Sequence, residues 1–335
     1  MSIPGVFIAW RRLSRRTEDL SRELGLELVF IPDKPPYIRA ALKTASILRR
    51  RRLKVVFVQL PQGPLLGEVV ALSKFLGFSV AADVHTGFIF TTTLKERMLN
   101  SPFHRYLRSA CLILVHNILE QDLIAEKTGA PKDKTIVVYD PVPAPPQRLK
   151  EPKLGIELDK AVVLPASWSP DEPIDRVAEE FLKSRALKEF TLVITGNWRR
   201  NESMYSRVVE VMRKYSAEDK VIVTGFVPDE EYWYILKSCR AIIVLTSREY
   251  TLPHTLWEAV ATRKLFLVSR TRTLETEIGS GYPCLFSQDL RDLGEAMDRC
   301  LLGESQTNAE KVAEMLEARS RQSIENLRRA IQTLL

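Results

Sequence analysis

Apolar residues fall along the chain in short unbroken runs, separated by longer stretches in which they recur at helical spacing. Val6–Trp10, Leu28–Ile31, Val55–Gln59, Ser79–Asp83, Leu112–His116 and Thr135–Tyr139 read as strands. Their apolar positions are consecutive rather than alternating, so both faces should be covered. Thr17–Gly25, Tyr37–Arg49, a segment from Pro64 to Gly77, and Asn117–Thr128 carry helical spacing; Ser14 or Thr17 caps the first and Gly25 stops it. Phe88–Arg108 mixes apolar and basic residues and should form two pieces, because Pro102 interrupts it. Residues 140–146, Asp-Pro-Val-Pro-Ala-Pro-Pro, can be neither helix nor sheet and read as a stiff linker.

A second series follows. Ala161–Pro165, Thr191–Thr195, Val221–Thr224, Ala241–Leu245 and Leu265–Ser269 read as strands. Ile174–Ala186, Ser203–Tyr215, a segment opening at Pro228 and another opening at Pro253–Thr255 read as helices. The rhythm predicts an α/β fold of two Rossmann-like parallel-sheet domains facing a cleft. Residues 1–145 would form one domain and 146–315 the other. The long helix pattern at the end would cross back, through residues 316–335, onto the first.

At 335 residues the chain is long enough for two cores. No apolar run approaches the ~20 residues of a membrane span. Cys111, Cys239, Cys284 and Cys300 are scattered without metal spacing, and are expected to be reduced thiols in a cytoplasmic protein. The net charge of +7 is uneven. Residues 1–150 hold 23 Lys and Arg against 13 Asp and Glu, and the remainder 26 against 29. A basic first half suits an anionic partner, either a membrane surface or a pyrophosphate-linked substrate. No motif supports nucleic acid.

Candidate chemistry gathers where strands end. Ala241–Leu245 leads through a polar loop with Pro253 to a helix beginning near Pro253–Thr255, and unpaired N–H groups at such an edge favour an anion, typically phosphate. Glu258, one turn on, suits a pair of ribose hydroxyls. After Thr191–Thr195, Gly196 would let a ligand approach the backbone, and Arg199 or Arg200 could meet phosphate. In the first half, Asp83-Val-His85 follows a strand and is suited to proton transfer, with His116 a weaker candidate. Neither GxGxxG after the first strand of either half nor GxxxxGK[ST] occurs, which argues against a dehydrogenase or a P-loop kinase.

Ser167-Trp-Ser-Pro-Asp-Glu-Pro173, Ile194-Thr-Gly196, Leu245-Thr-Ser247, Leu252-Pro253 and Glu258-Ala259, in that order, resemble a GT-B glycosyltransferase donor domain. They look most like the chitobiosyldiphosphodolichol β-mannosyltransferases, whose acceptor-domain segments Gln59–Pro64 and Asp83–His85 also resemble. The resemblance implies a hexosyltransferase using GDP-mannose or a UDP-sugar and extending a polyprenyl-linked glycan, peripherally bound to the cytoplasmic face of a membrane. Neither metal nor cofactor is expected. Ser167, Trp168, Gly196, Asn197, Arg199, Glu249, Pro253, His254, Thr255 and Glu258 would bind the donor. Arg12, Arg15, Gln62, Thr86 and Gly87 would meet the acceptor, and Asp83 or His85 would be the base. Retaining GT-B enzymes often space two glutamates by seven residues; here eight separate Glu249 from Glu258, which weakens a retaining assignment, and the β-mannosyltransferase likeness implies inversion. The alternatives are a nucleotide-sugar epimerase on the same fold and a non-catalytic binding or scaffold protein.

Overall fold

The computed structural model describes residues 4–91, 93–303 and 306–334. The chain divides into two compact units, residues 1–141 with 319–335, and residues 142–318.

The first unit is built on six parallel strands: β1 (Gly5–Trp10), β2 (Glu27–Ile31), β3 (Val55–Gln59), β4 (Ser79–Asp83), β5 (Leu112–Val115) and β6 (Thr135–Val137). Their order across the sheet is β2-β1-β3-β4-β5-β6. The helices are α1 (Arg15–Leu24), α2 (Ile38–Arg49), α3 (Gly63–Leu76), α4 (Thr86–Ile89), α5 (Leu94–Asn100) and α6 (Ile118–Thr128). The Ser14 side chain caps α1, and Gly25, at φ 64°, ends it in the left-handed conformation that only glycine adopts without strain. One face of the sheet is buried by α2, α3 and α6, through residues such as Ala40, Leu66, Val69 and Ile124. The other is buried by Leu20 and Leu24 of α1 together with Ile324, Leu327 and Ile331 from the end of the chain. The Phe88–Arg108 segment breaks into α4, α5 and a 3-10 stretch, Ser101–Ser109, that contains Pro102; residue 92 of that segment lies outside the described residues. A side chain at Gly67 would collide with the Phe103 ring, so the absence of a Cβ lets the 3-10 stretch lie directly on α3.

The second unit carries β7 (Ala161–Leu164), β8 (Thr191–Thr195), β9 (Val221–Gly225), β10 (Ala241–Val244), β11 (Leu265–Arg270) and β12 (Leu285–Ser287). The order β12-β11-β10-β7-β8-β9 is that of a doubly wound nucleotide-binding sheet, with its switch point between β7 and β10. Its helices are α7 (Ile174–Lys183), α8 (Glu202–Lys214), α9 (Asp229–Ser238), α10 (His254–Thr262), α11 (Arg272–Ile278) and α12 (Leu293–Leu301). The last helix, α13 (Gln306–Gln332), is continuous through the boundary at 318/319. Cys284 and Cys300 are disulfide-bonded, whereas free thiols were expected. Their Cα atoms stand 5.9 Å apart, inside the range a disulfide spans; a spacing of 16 residues carries no motif that would have shown it. Cys111 and Cys239 are free.

Candidate active site

In the second unit the polar chemistry lies at the carboxyl ends of β7, β8 and β9 and at the start of α10. These elements line a cavity of about 260 Å³ formed by residues that include Ala166, Gly196, Phe226, Tyr232, His254, Thr255 and Glu258. Pro253 occupies the N-cap position of α10 and makes no side-chain cap bond. The Leu256 N–H donates to the Pro253 carbonyl at 3.0 Å, whereas the N–H groups of His254 and Thr255, at the very start of the helix, have no intrahelical acceptor; both residues border the cavity, as an anion would require. Glu258 is nearly buried; its Oε2 accepts from the Tyr232 hydroxyl at 2.6 Å, and its Oε1 lies 3.8 Å from His254 Nε2. His254 Nδ1 is buried with no hydrogen-bond partner among the described residues. A carboxylate held by a tyrosine at the rim of a helix N-terminus is an acceptor pair suited to vicinal hydroxyls.

Of the remaining donor-side expectations, Gly196 also lines this cavity and the others fall elsewhere. Trp168 is buried, and its indole Nε1 donates to the Thr195 carbonyl at 3.1 Å. Ser167 Oγ bonds Glu172, whose carboxylate also takes the Ser169 N–H. Asp171 receives Thr246 Oγ1 and the Arg248 guanidinium. The Ser-Trp-Ser-Pro-Asp-Glu run is thus a braced loop that fixes the β7 end against β8 and the β10 loop. None of its side chains lines the cavity. Gly196 borders the cavity as backbone alone: a Cβ there would sit 1.9 Å from the Ala166 carbonyl oxygen, and φ is +92°. Asn197 caps its own turn by accepting from Arg199 N, and the Arg199 guanidinium lies over the Trp198 ring. Glu249 turns away from Glu258: its carboxylate accepts from the Arg272 and Thr273 N–H groups at the start of α11.

Tyr232, Phe226 and Asp229 were missed. Their signal was the Gly225-Phe-Val-Pro-Asp sequence closing β9, another strand end at the same sheet edge. Phe226 is largely exposed and, with Val227, also walls a second cavity of about 350 Å³ beside Lys150–Leu154.

In the first unit a charged cluster is buried where β4 ends. Asp83 is fully buried; Oδ1 accepts from Arg16 Nε at 3.0 Å and Oδ2 pairs with His85 Nε2 at 3.0 Å. Arg16 also donates to the Val138 carbonyl (2.7 Å) and to Asp140 (2.6 Å). Burial alone would raise the Asp83 pKa, but Arg16 and then His85 outweigh it and hold the carboxyl well below the usual range. The His85 and His116 rings meet edge to face at 4.8 Å. Burial, with Arg16 and His85 adding to it, keeps His116 neutral. Burial also pushes Glu120 up to about 8, although one of its oxygens accepts from His116 N.

Asp83, His85 and His116 lie within 4.8 Å of one another, a spacing a cation could bridge. A cation would enter beside the Arg16 guanidinium, which already neutralises the one carboxylate of the three. The set fits an oriented imidazole better than a metal.

Arg12 and Arg15 are exposed, and the arginine that enters the cluster is Arg16. Gln62 is buried at the start of α3, and its Oε1 has no hydrogen-bond partner among the described residues. Thr86 and Gly87 form the first turn of α4 directly after His85, and a Cβ at Gly87 would meet the Pro61 ring at 3.8 Å, an ordinary contact.

One unit carries a doubly wound sheet with an anion-type pocket at its carboxyl edge, the other a parallel sheet with an Asp–His pair at the end of β4, and two such sheets in one chain make an α/β fold of the GT-B kind. Residues 147–322 match the family model of glycosyl transferases group 1, more than half of the chain, and the protein belongs to that family. It is a glycosyltransferase. No curated protein sequence matches it. Among solved structures it is similar to HepE from Anabaena in complex with UDP, at 12% identity and a TM-score of 0.71, covering 97% of this chain and 99% of that one. It is also similar to the lipopolysaccharide outer core galactosyltransferase WaaB, at 13% identity and 0.69, over 99% and 100%. Sucrose-phosphate synthase from Thermosynechococcus elongatus aligns at 12% identity and 0.69, over 98% of each chain. At such identities the likeness speaks for the fold.

Proposed function

We propose that the protein transfers a hexose, mannose favoured, from a nucleotide sugar to a lipid-linked glycan at the cytoplasmic face of a membrane, as the chitobiosyldiphosphodolichol β-mannosyltransferases it resembles do. The observation that carries the donor half is the α10 cavity. The first N–H groups of α10 and the half-buried His254 would take the diphosphate, Glu258 held by Tyr232 would take the ribose, and Phe226 would stack the base. That HepE is described in complex with UDP supports a nucleotide in this position. The same N-terminal donors would stabilise the leaving diphosphate, so the reaction as proposed routes no step through a metal.

The Asp83–His85 pair supports an inverting step. Asp83, pinned as an anion by Arg16, is a poor proton acceptor and a good orienter. His85 is then the base: it takes the acceptor hydroxyl proton as that oxygen bonds the anomeric carbon and the diphosphate departs with the bonding electrons. Gln62, Thr86 and Gly87 border His85 in sequence or at the same sheet edge and would meet the acceptor.

The test is a thermal-shift comparison of GDP, UDP, ADP and dTDP on wild type and Glu258→Ala. One nucleotide should stabilise the wild type, and the variant should bind it more weakly by about 1–3 kcal/mol, the cost of a lost buried hydrogen bond. If no nucleotide stabilises the wild type, the donor reading fails.

A further inference from the structure

Four of the most exposed large apolar side chains in the first unit are arranged as two matched pairs. Ile38 and Leu42 stand first and fifth in α2, at 64% and 68% exposure, and Leu94 and Met98 stand first and fifth in α5, at 73% and 69%. Residues four apart lie on one helix face, so each pair forms a short outward apolar ridge.

Both ridges belong to the same side and the same end of the unit. α2 and α3 bury the same face of the sheet, and α5 packs on α3. The Asn100 side chain at the end of α5 accepts from the N–H of Gly63, the first residue of α3, at 3.1 Å. A Cβ at Gly63 would strike the Leu99 carbonyl, so the two helices meet as closely as backbones allow. α2 and α3 run back from the carboxyl edge of the sheet, so the starts of α2 and α3 and the whole of α5 lie at that edge. Asp83 and His85 end β4 at the same edge.

The charge around the ridges is of one sign. From Lys34 to Gly67 the chain has eight Lys and Arg and no Asp or Glu. Asp33 is paired to Lys43 at 3.3 Å, and Glu96 is turned into the capping box of α5. Arg39, Lys95 and Arg97 are exposed beside the ridges, and none is in an ion pair among the described residues. Exposed leucine and methionine rimmed by unpaired cations complement a surface that is apolar inside and anionic outside.

We infer that the α2–α5 edge is a docking surface for an anionic lipid bilayer, with Ile38, Leu42, Leu94 and Met98 entering the acyl boundary and the flanking cations meeting headgroup phosphates. This rests on the lipid-linked acceptor reading above and gives it a place: the unit would lie on the bilayer by the sheet edge that carries His85, within reach of a sugar held close to the headgroups.

The experiment is co-sedimentation with vesicles of phosphatidylcholine and phosphatidylglycerol, about three to one, against phosphatidylcholine alone. Wild type should bind the mixed vesicles and release as salt rises. Leu42→Ser with Leu94→Ser should lower the partition coefficient at least about tenfold, since both side chains lose their apolar burial. Arg39→Gln and Lys95→Gln should each lower it about fivefold. Every variant is checked for an unchanged melting temperature and an unchanged nucleotide shift.

Variants that keep the nucleotide shift and lose the vesicles support the surface. A wild type that responds to nucleotide and ignores the mixed vesicles overturns it and leaves the transferase reading intact. Vesicle binding lost in the variants, with no nucleotide response in any of them, supports the surface and removes the donor reading. If vesicle binding is the same in wild type and variants while concentration-dependent self-association disappears from the variants, the edge joins two copies of the chain and the proposal is wrong.

Discussion

Replacing Arg16 by methionine should damage the first unit more than any other single change at its polar positions. The side chain is buried and its fork holds three groups at once: Asp83 at 3.0 Å, the Val138 carbonyl at 2.7 Å and Asp140 at 2.6 Å. Removing one partner from a buried ion pair costs about 3–5 kcal/mol, because the remaining charge stays desolvated and uncompensated. At about 2–4 °C per kcal/mol for a unit of this size, the melting temperature should fall by roughly 6–20 °C. Arg16→Lys keeps the charge but cannot span all three acceptors, and should fall between the two.

The pH profile gives the sharper check. In the wild type the Asp83 pKa lies below its unfolded value, so its contribution is full above about pH 4 and is lost as pH falls further. Without Arg16, burial is the leading influence left on Asp83 and its folded pKa rises. The sign then reverses: the variant should gain stability as pH is lowered from about 7 towards 4. Adding Asp83→Asn to Arg16→Met should recover part of the loss, since no charge is then stranded at that position. The assay is thermal unfolding by circular dichroism across pH. An Arg16→Met protein within about 1 kcal/mol of wild type at neutral pH, with a parallel pH profile, would refute the reasoning.

Two further outcomes follow from the same geometry. Burial pushes Glu120 up to about 8, so between about pH 4.3 and 8 the folded protein holds a proton that the unfolded chain has released, and stability declines as pH rises through that window. Glu120→Gln keeps an oxygen for the His116 N–H and cannot ionise; its melting temperature should hold across the window, and a decline parallel to wild type would sink the assignment. Trp168→Phe should lose about 0.5–1.5 kcal/mol, the bond to the Thr195 carbonyl, while nucleotide affinity stays near wild type; a large loss of affinity without loss of stability would make the indole a ligand contact after all.

Much of the architecture was readable because parallel strands announce themselves as unbroken apolar runs. Val55–Gln59, Ser79–Asp83 and Thr191–Thr195 were bounded to the residue. The last third was harder. β12 is three residues long, and α11 and α12 are short, so neither gives enough periods to stand above the surrounding polar chain. The placing of the candidate residues was legible wherever position follows from topology, since residues just past parallel strands must lie at the carboxyl edge. Asp83, His85, His254, Thr255 and Glu258 follow that rule.

What was not legible depends on where a helix starts or which way a side chain turns. Three arginines, at 12, 15 and 16, compete for one inward direction. With Ser14 as the cap, α1 begins at Arg15, and its inward stripe becomes Arg16, Thr17, Leu20, Ser21 and Leu24. A cap at Thr17 would have left all three in the loop. Glu249 and Glu258 pose the same question one register apart. The extra residue between them, with Tyr250 at a left-handed φ of 59°, accompanies a Glu249 carboxylate turned to the N-terminus of α11. The Ser-Trp-Ser-Pro-Asp-Glu run misled for a different reason: distinctive composition marks a loop whose shape matters, and in this loop the shape is spent on itself. Trp168 holds Thr195, Asp171 holds Thr246, and Glu172 holds Ser167. By fixing the ends of β7, β8 and β10, these contacts leave the α10 start and Glu258 facing one cavity. The motif therefore bears on the cavity through position, and the side chains that border it come from the plainer sequences around Phe226, Tyr232 and His254.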